Sequence, residues 1–70
     1  MVVYITENLV NGKKYIGKDS KNNPKYLGSG RLLLEDIKIY GRKNFNKSII
    51  EYCVDDKELS IRESFWIKEY

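Results

Sequence analysis

Asn11-Gly12 stands between two short runs rich in β-branched and aromatic residues, Val2-Val3-Tyr4-Ile5 and Lys14-Tyr15-Ile16-Gly17-Lys18. Asn and Gly both accept a positive φ at little cost, so the dipeptide marks a turn. Two strands around a turn make an antiparallel hairpin, with Thr6 to Gly12 as the connection. Side chains alternate between the faces of a strand, which groups Tyr4 with Val2 and Tyr15 with Gly17. A tyrosine on each of two adjacent strands can present both phenols on one surface. Taken alone, the hairpin equally allows two half-buried tyrosines that only pack.

Downstream, Asp19-Ser20-Lys21-Asn22-Asn23-Pro24-Lys25 reads as a loop, because Asn-Asn-Pro favours a turn. Tyr26-Leu27-Gly28-Ser29-Gly30 leads into a helix from about Arg31 to Tyr40. Ser29 is its expected N-cap, and Gly41 its expected left-handed terminating residue. At about 100° per residue, Leu33, Leu34, Ile37 and Tyr40 form an apolar stripe, with Arg31, Glu35 and Lys38 opposite. Arg42-Lys43-Asn44 is a turn, and Phe45 to Cys53 a third strand around Ile49-Ile50. Asp55 or Asp56 caps a final helix that runs to the end, and Glu58 suits a capping box. The expected architecture is α+β: a small three-stranded antiparallel sheet flanked by helices, in the order strand-strand-helix-strand-helix.

Glu63 is out of place on that last helix. With Leu59 as the reference, Glu63, Trp66, Ile67 and Tyr70 fall within about 80° of it, while Ile61 and Phe65 project elsewhere. A carboxylate taken out of water without a partner costs several kcal/mol, so it is normally paired or binds a cation. Two explanations stay open on pattern alone. Glu63 pairs with a lysine or arginine, or stays wet at the stripe edge; otherwise it ends in a cleft as a metal ligand.

Seventy residues allow one domain. With 41% hydrophobic and 33% charged residues the chain is globular rather than disordered. No apolar run approaches a membrane span, and no signal-peptide pattern is present. The chain contains no histidine, which excludes a histidine base or metal site. Its single cysteine, Cys53, excludes an internal disulfide and points to a reducing compartment. Any catalysis therefore rests on Tyr, Lys, Arg, Asp or Glu. Residues 1–48 hold ten Lys/Arg against four Asp/Glu, whereas residues 49–70 hold three against six. A basic region interleaved with tyrosines suits a polyanion, nucleic acid first.

The tripeptides Val2-Val3-Tyr4 and Tyr15-Ile16-Gly17 resemble the pair that names the GIY-YIG nuclease family, with valine at the first family glycine. The run Ile61-Arg62-Glu63-Ser64-Phe65-Trp66-Ile67-Lys68-Glu69 resembles the helix that carries the catalytic glutamate of phage GIY-YIG homing endonucleases. Its distance from Tyr40-Gly41 fits as well. Tyr26-Leu27-Gly28-Ser29-Gly30, Tyr40-Gly41 and Asn44-Phe45 are similar to one phage subgroup. Together these segments touch nearly the whole chain in the family's order, which makes residues 1–70 one GIY-YIG-like domain.

The resemblance implies hydrolysis of phosphodiesters in double-stranded DNA by in-line attack of water, with Mg²⁺ or Mn²⁺ as cofactor. Glu63 would bind the cation, Tyr4 would serve as general base, and Tyr15 would orient water or phosphate. The chain departs from the family pattern in three places. The arginine expected on a helix soon after Tyr-Ile-Gly is missing; Arg31 is its best chemical substitute, to grip the phosphate, and Lys25 the second. Asp19 stands where the subgroup often has histidine. An asparagine seen in many members lies beyond the last residue, so the chain is a catalytic-domain fragment or a minimal version. Lys18, Lys25, Tyr26, Lys38, Arg42 and Lys43 are expected to face DNA. A further DNA-binding domain or segment, and a cytoplasmic setting in a phage or prokaryotic host, are implied in the same way. The residues alone also allow a non-catalytic nucleic-acid-binding module, or a protein-interaction domain whose tyrosines only pack.

Overall fold

The β-rich runs pair into a single antiparallel sheet in the computed structural model, which describes residues 1–69. The elements are β1 (Val2–Asn8), β2 (Lys14–Asp19), α1 (Arg31–Tyr40), a 3₁₀ turn at Arg42–Asn44, β3 (Phe45–Tyr52) and α2 (Asp56–Glu69). The spatial order is β2-β1-β3, so the first strand is central. This is the α+β arrangement expected from the sequence.

Pairing on both sides explains why β1 runs to Asn8 rather than stopping at Ile5. Thr6 and Glu7 sit opposite Tyr15 and Lys14 on one side and Lys47 and Asn46 on the other. The connection is correspondingly shorter. In it only Gly12 uses a positive φ, at 77°, while Asn11 accepts the Lys13 N–H at 2.9 Å through its side chain.

The register opposes Tyr4 to Gly17 and Thr6 to Tyr15, so both tyrosines share one face. Leu27, Leu33 and Phe45 are buried on that face, joined by Ile37 and Tyr40 of α1. Val3, Cys53 and Leu59 form a second cluster with Met1, Ile16, Ile50 and Trp66. Val3 points opposite to Tyr4, so the two helices cover opposite faces. A bulge between Val3 and Tyr4, where β3 skips a residue, turns Ile50 into the second cluster.

Several boundary expectations are corrected. The N-cap of α1 is Gly30, with no side-chain cap, because Gly30 carbonyl takes the first helical N–H, from Leu34, at 2.9 Å; Ser29 lies one residue too early. Leu34 leaves the apolar stripe and is 51% exposed. Gly41 has the positive φ of 85°, but its ψ of 143° is extended rather than helical and leads directly into the 3₁₀ turn. At α2 the expectation of Asp55 or Asp56 is met by Asp55, which accepts the Glu58 N–H at 2.8 Å. Ile67 leaves the expected stripe and is 53% exposed, while Trp66 beside it packs on the second cluster; Tyr70 lies outside the described residues. No helix among the described residues is long and apolar enough to cross a membrane.

Candidate active site

A cavity of about 380 Å³ opens beside β2, lined by β1, β2, the segment before α1, Leu33 of α1, and α2. Tyr4, Tyr15, Lys18, Tyr26 and Glu63 all border it, together with Gly17 and Gly28.

Tyr4 reaches the cavity because two glycines let it. A Cβ on Gly17 would lie 2.4 Å from the Tyr4 hydroxyl, and one on Gly28 would lie 3.1 Å from it and 2.3 Å from Leu33. Gly28 also holds a φ of 137°, which disfavours a side chain. The Tyr4 ring meets Tyr26 edge to face at 6.1 Å and lies under the Lys47 ammonium, 4.5 Å from the ring centroid. Burial, then Tyr26, then the negative charges of Asp19 and Glu63 push the Tyr4 phenol far above its ordinary range.

Tyr15 is held differently. Its hydroxyl donates to Asp36 Oδ2 at 2.8 Å. Burial, then the hydrogen bond and charge of Asp36, then Tyr40 push the Tyr15 phenol up to about 12. Neither tyrosine is therefore a standing phenolate at neutral pH.

Glu63 borders the cavity half-buried, and among the described residues it forms no hydrogen bond or ion pair. The other carboxylates nearby are engaged. Asp19 accepts backbone N–H groups from Lys21 at 3.0 Å and Asn23 at 2.7 Å, and pairs with Lys47 at 3.4 Å. That pair is almost sealed, with side chains 9% and 6% exposed. Burial works against the charged form of Asp19, yet those backbone groups and Lys47 outweigh it and hold the carboxyl below the usual range.

Arg31 is not brought to the cavity. Its side chain is 90% exposed and pairs with Glu35 one turn on, at 3.3 Å. No helix forms between β2 and α1 that could carry another arginine inward. Lys25 is exposed, and its carbonyl accepts from the Arg42 guanidinium. Lys38 and Lys43 are exposed as well. Lys18 is the cation that borders the cavity, and its ammonium donates to Ser60 of α2 at 2.9 Å.

Two residues escaped the sequence reading. Lys47 alternates with Phe45 and Ile49 on β3, so the two-residue period already placed it on the inner face. Asp36 lies about 60° from Leu33 on the α1 wheel, just outside the apolar stripe on the side of Tyr40. Its half-burial and its bond to Tyr15 come from the structure.

The donor set bears on whether a cation fits. No group of three or more Cys, Asp or Glu converges among the described residues. An all-protein cage is therefore absent there, while a single unpaired carboxylate bordering an open cavity suits a hard cation that keeps several of its waters.

A family model described as the GIY-YIG catalytic domain matches residues 1–70. Among curated proteins the chain is similar to several of Enterobacteria phage T4. It is 53% identical over 63 residues to "Putative endonuclease segE", covering 87% of this chain and 31% of that protein. To "Endonuclease segA" it is 48% identical over 56 residues, 77% of this chain and 25% of that one. To "Putative endonuclease segD" it is 34% identical over 70 residues, 97% of this chain and 31% of that one. The chain thus spans about a quarter to a third of the length of the curated relatives it matches. No solved structure matches it.

Proposed function

The chain belongs to the GIY-YIG catalytic-domain family, and from that premise we propose that it is an endonuclease domain hydrolysing phosphodiester bonds in double-stranded DNA. The observation that carries the reading is the meeting of Tyr4, Tyr15, Lys18 and the unpaired Glu63 around one cavity. The residues fit a divalent cation, Mg²⁺ or Mn²⁺, on the Glu63 carboxylate, where it would stabilise charge on the phosphate and the leaving 3′ oxygen. Lys18 takes the phosphate-gripping role that sequence chemistry assigned to Arg31. The tyrosine rings wall the cavity and hold the attacking water in line, and one phenol oxygen receives its proton. Lys25, Lys38, Arg42 and Lys43 add sequence-independent attraction to the DNA backbone. Sequence selection falls, on this reading, to a further domain of a longer protein.

Incubation of supercoiled plasmid with Mg²⁺, with Mn²⁺ and with chelator tests the proposal. Nicked or linear product should form only with the metals, and Glu63→Gln should abolish it while DNA binding persists. Binding without cleavage under every metal condition would leave a non-catalytic module instead. Undiminished metal-dependent nicking by Glu63→Gln would remove the cation from Glu63.

A further inference from the structure

Asp36 is a carboxylate held by neutral donors. Its Oδ2 accepts from the Tyr15 hydroxyl at 2.8 Å and from Asn8 Nδ2 at 3.3 Å. The Asn8 amide has a fixed sense, because its Oδ1 already accepts the Val10 N–H at 2.9 Å. Among the described residues no lysine or arginine pairs with Asp36. The charge that a half-buried acid would normally spend on a cation is therefore turned toward a phenol. That phenol borders the cavity, and Asp36 does not.

We infer that Tyr15 and Asp36 form a proton relay, in which Asp36 is the terminal acceptor for the proton of the attacking water. This rests on the nuclease reading above. As the water oxygen bonds to phosphorus, its proton passes to Tyr15 Oη. The phenol's own proton moves along the 2.8 Å hydrogen bond to Asp36 Oδ2. The bond from phosphorus to the 3′ oxygen breaks, and the electron pair leaves with that oxygen, which is then protonated from solvent. Asp36 afterwards returns its proton to solvent, and Tyr15 is neutral before and after.

Two observations favour this route over a phenolate base. A phenol pushed up to about 12 is ionised in roughly one molecule in 10⁵ at pH 7, whereas the Asp36 oxygen already lies in line with the phenol's own proton at 2.8 Å. Tyr4 has no such outlet, since its hydroxyl is packed between Gly17 and Gly28 and bonded with Tyr26. The roles first assigned to the two tyrosines are thereby exchanged. The groups facing Tyr15 are Asp36 and Tyr40 from α1, Asn8 through Asp36 from β1, and, as fellow lining residues, Tyr4 of β1, Lys18 of β2, Tyr26 before α1, and Glu63 of α2.

Asp36→Asn tests the relay, because the amide oxygen can still accept from Tyr15 but cannot take its proton. Single-turnover cleavage near pH 7 should fall by about 10²-fold or more. The ratio of wild-type to variant rate should shrink as pH rises from 7 to 9, when a Tyr15 phenolate begins to substitute. A loss that is the same at every pH would mean that Asp36 only positions Tyr15, and would overturn the relay, as would no loss. Asp36→Glu should restore most of the rate; Asp36→Gln should not, and this second pair serves if Asp36→Asn fails to fold. A metal-free readout runs beside these. The near-ultraviolet titration difference between the protein and Tyr15→Phe isolates ionisation of Tyr15, and Asp36→Asn should lower its midpoint. An unmoved midpoint overturns the relay by itself. A lowered midpoint in a protein that never cleaves DNA would instead overturn the nuclease reading, and leave the pair a structural contact.

Discussion

Asp36 on α1 and Glu63 on α2 pose one problem in two places and receive opposite answers. Each carboxylate is half-buried on a helix packed on the sheet, Glu63 inside its apolar stripe and Asp36 at the flank of its own. Asp36 is satisfied by Tyr15 and Asn8. Glu63 meets no donor among the described residues and borders a cavity. Asp19 supplies a third case, paired and sealed with Lys47. A buried acid that the fold has satisfied is part of its structure. One left without a partner at a cavity wall is where a ligand's charge is expected.

If that comparison holds, removing each acid's environment should cost stability in a definite order. Lys47→Met should cost most, about 3–5 kcal/mol, because it strands a buried charge. The acid limb of stability should change with it. The folded carboxyl of Asp19 lies below its unfolded value near 4, so its contribution is present above that value and is lost as pH falls through the lower one. Thermal melts between about pH 2 and 7 should show a shallower pH dependence in Lys47→Met than in the wild type. Equal stability and an equal acid limb would mean the pair is a surface contact in solution.

Asp36→Ala should come next. It leaves the Tyr15 hydroxyl and one N–H of Asn8 without their acceptor, at about 1–3 kcal/mol in denaturant unfolding. Glu63→Gln should cost least, with a melting temperature unchanged or raised, since the wild-type charge repays nothing in the free protein. A loss at Glu63→Gln as large as at Asp36→Ala would break the comparison and make Glu63 a structural residue.

Periodicity explains how much of this was legible in advance. The two-residue alternation around Asn11-Gly12 allowed both tyrosines to share a face, which the register bears out, and the 3.6-residue wheel singled out Glu63. Neither rule carries information about which face a helix covers, so the convergence of α2 and the segment before α1 beside β2 required the structure. Arg31 was chosen by chemical type, which says nothing of position, and its side chain points to solvent beside Glu35. Gly17 was legible as part of a tripeptide, but its physical reason was not: only the register shows the Tyr4 hydroxyl lying where a Cβ would be. Lys47 was within reach of the two-residue rule already in use, whereas Asp36 flanks the α1 stripe and needed the structure.

Mn²⁺ titration followed by amide NMR sets the two carboxylates side by side in the metal-bound protein. A paramagnetic ion broadens signals near where it binds. Substoichiometric Mn²⁺ should broaden Gly17, Lys18 and Glu63 first, Asp36→Asn should keep that pattern, and Glu63→Gln should lose it. The same broadening in Glu63→Gln, or broadening centred on Asp36, would contradict the assignment of the cation to Glu63.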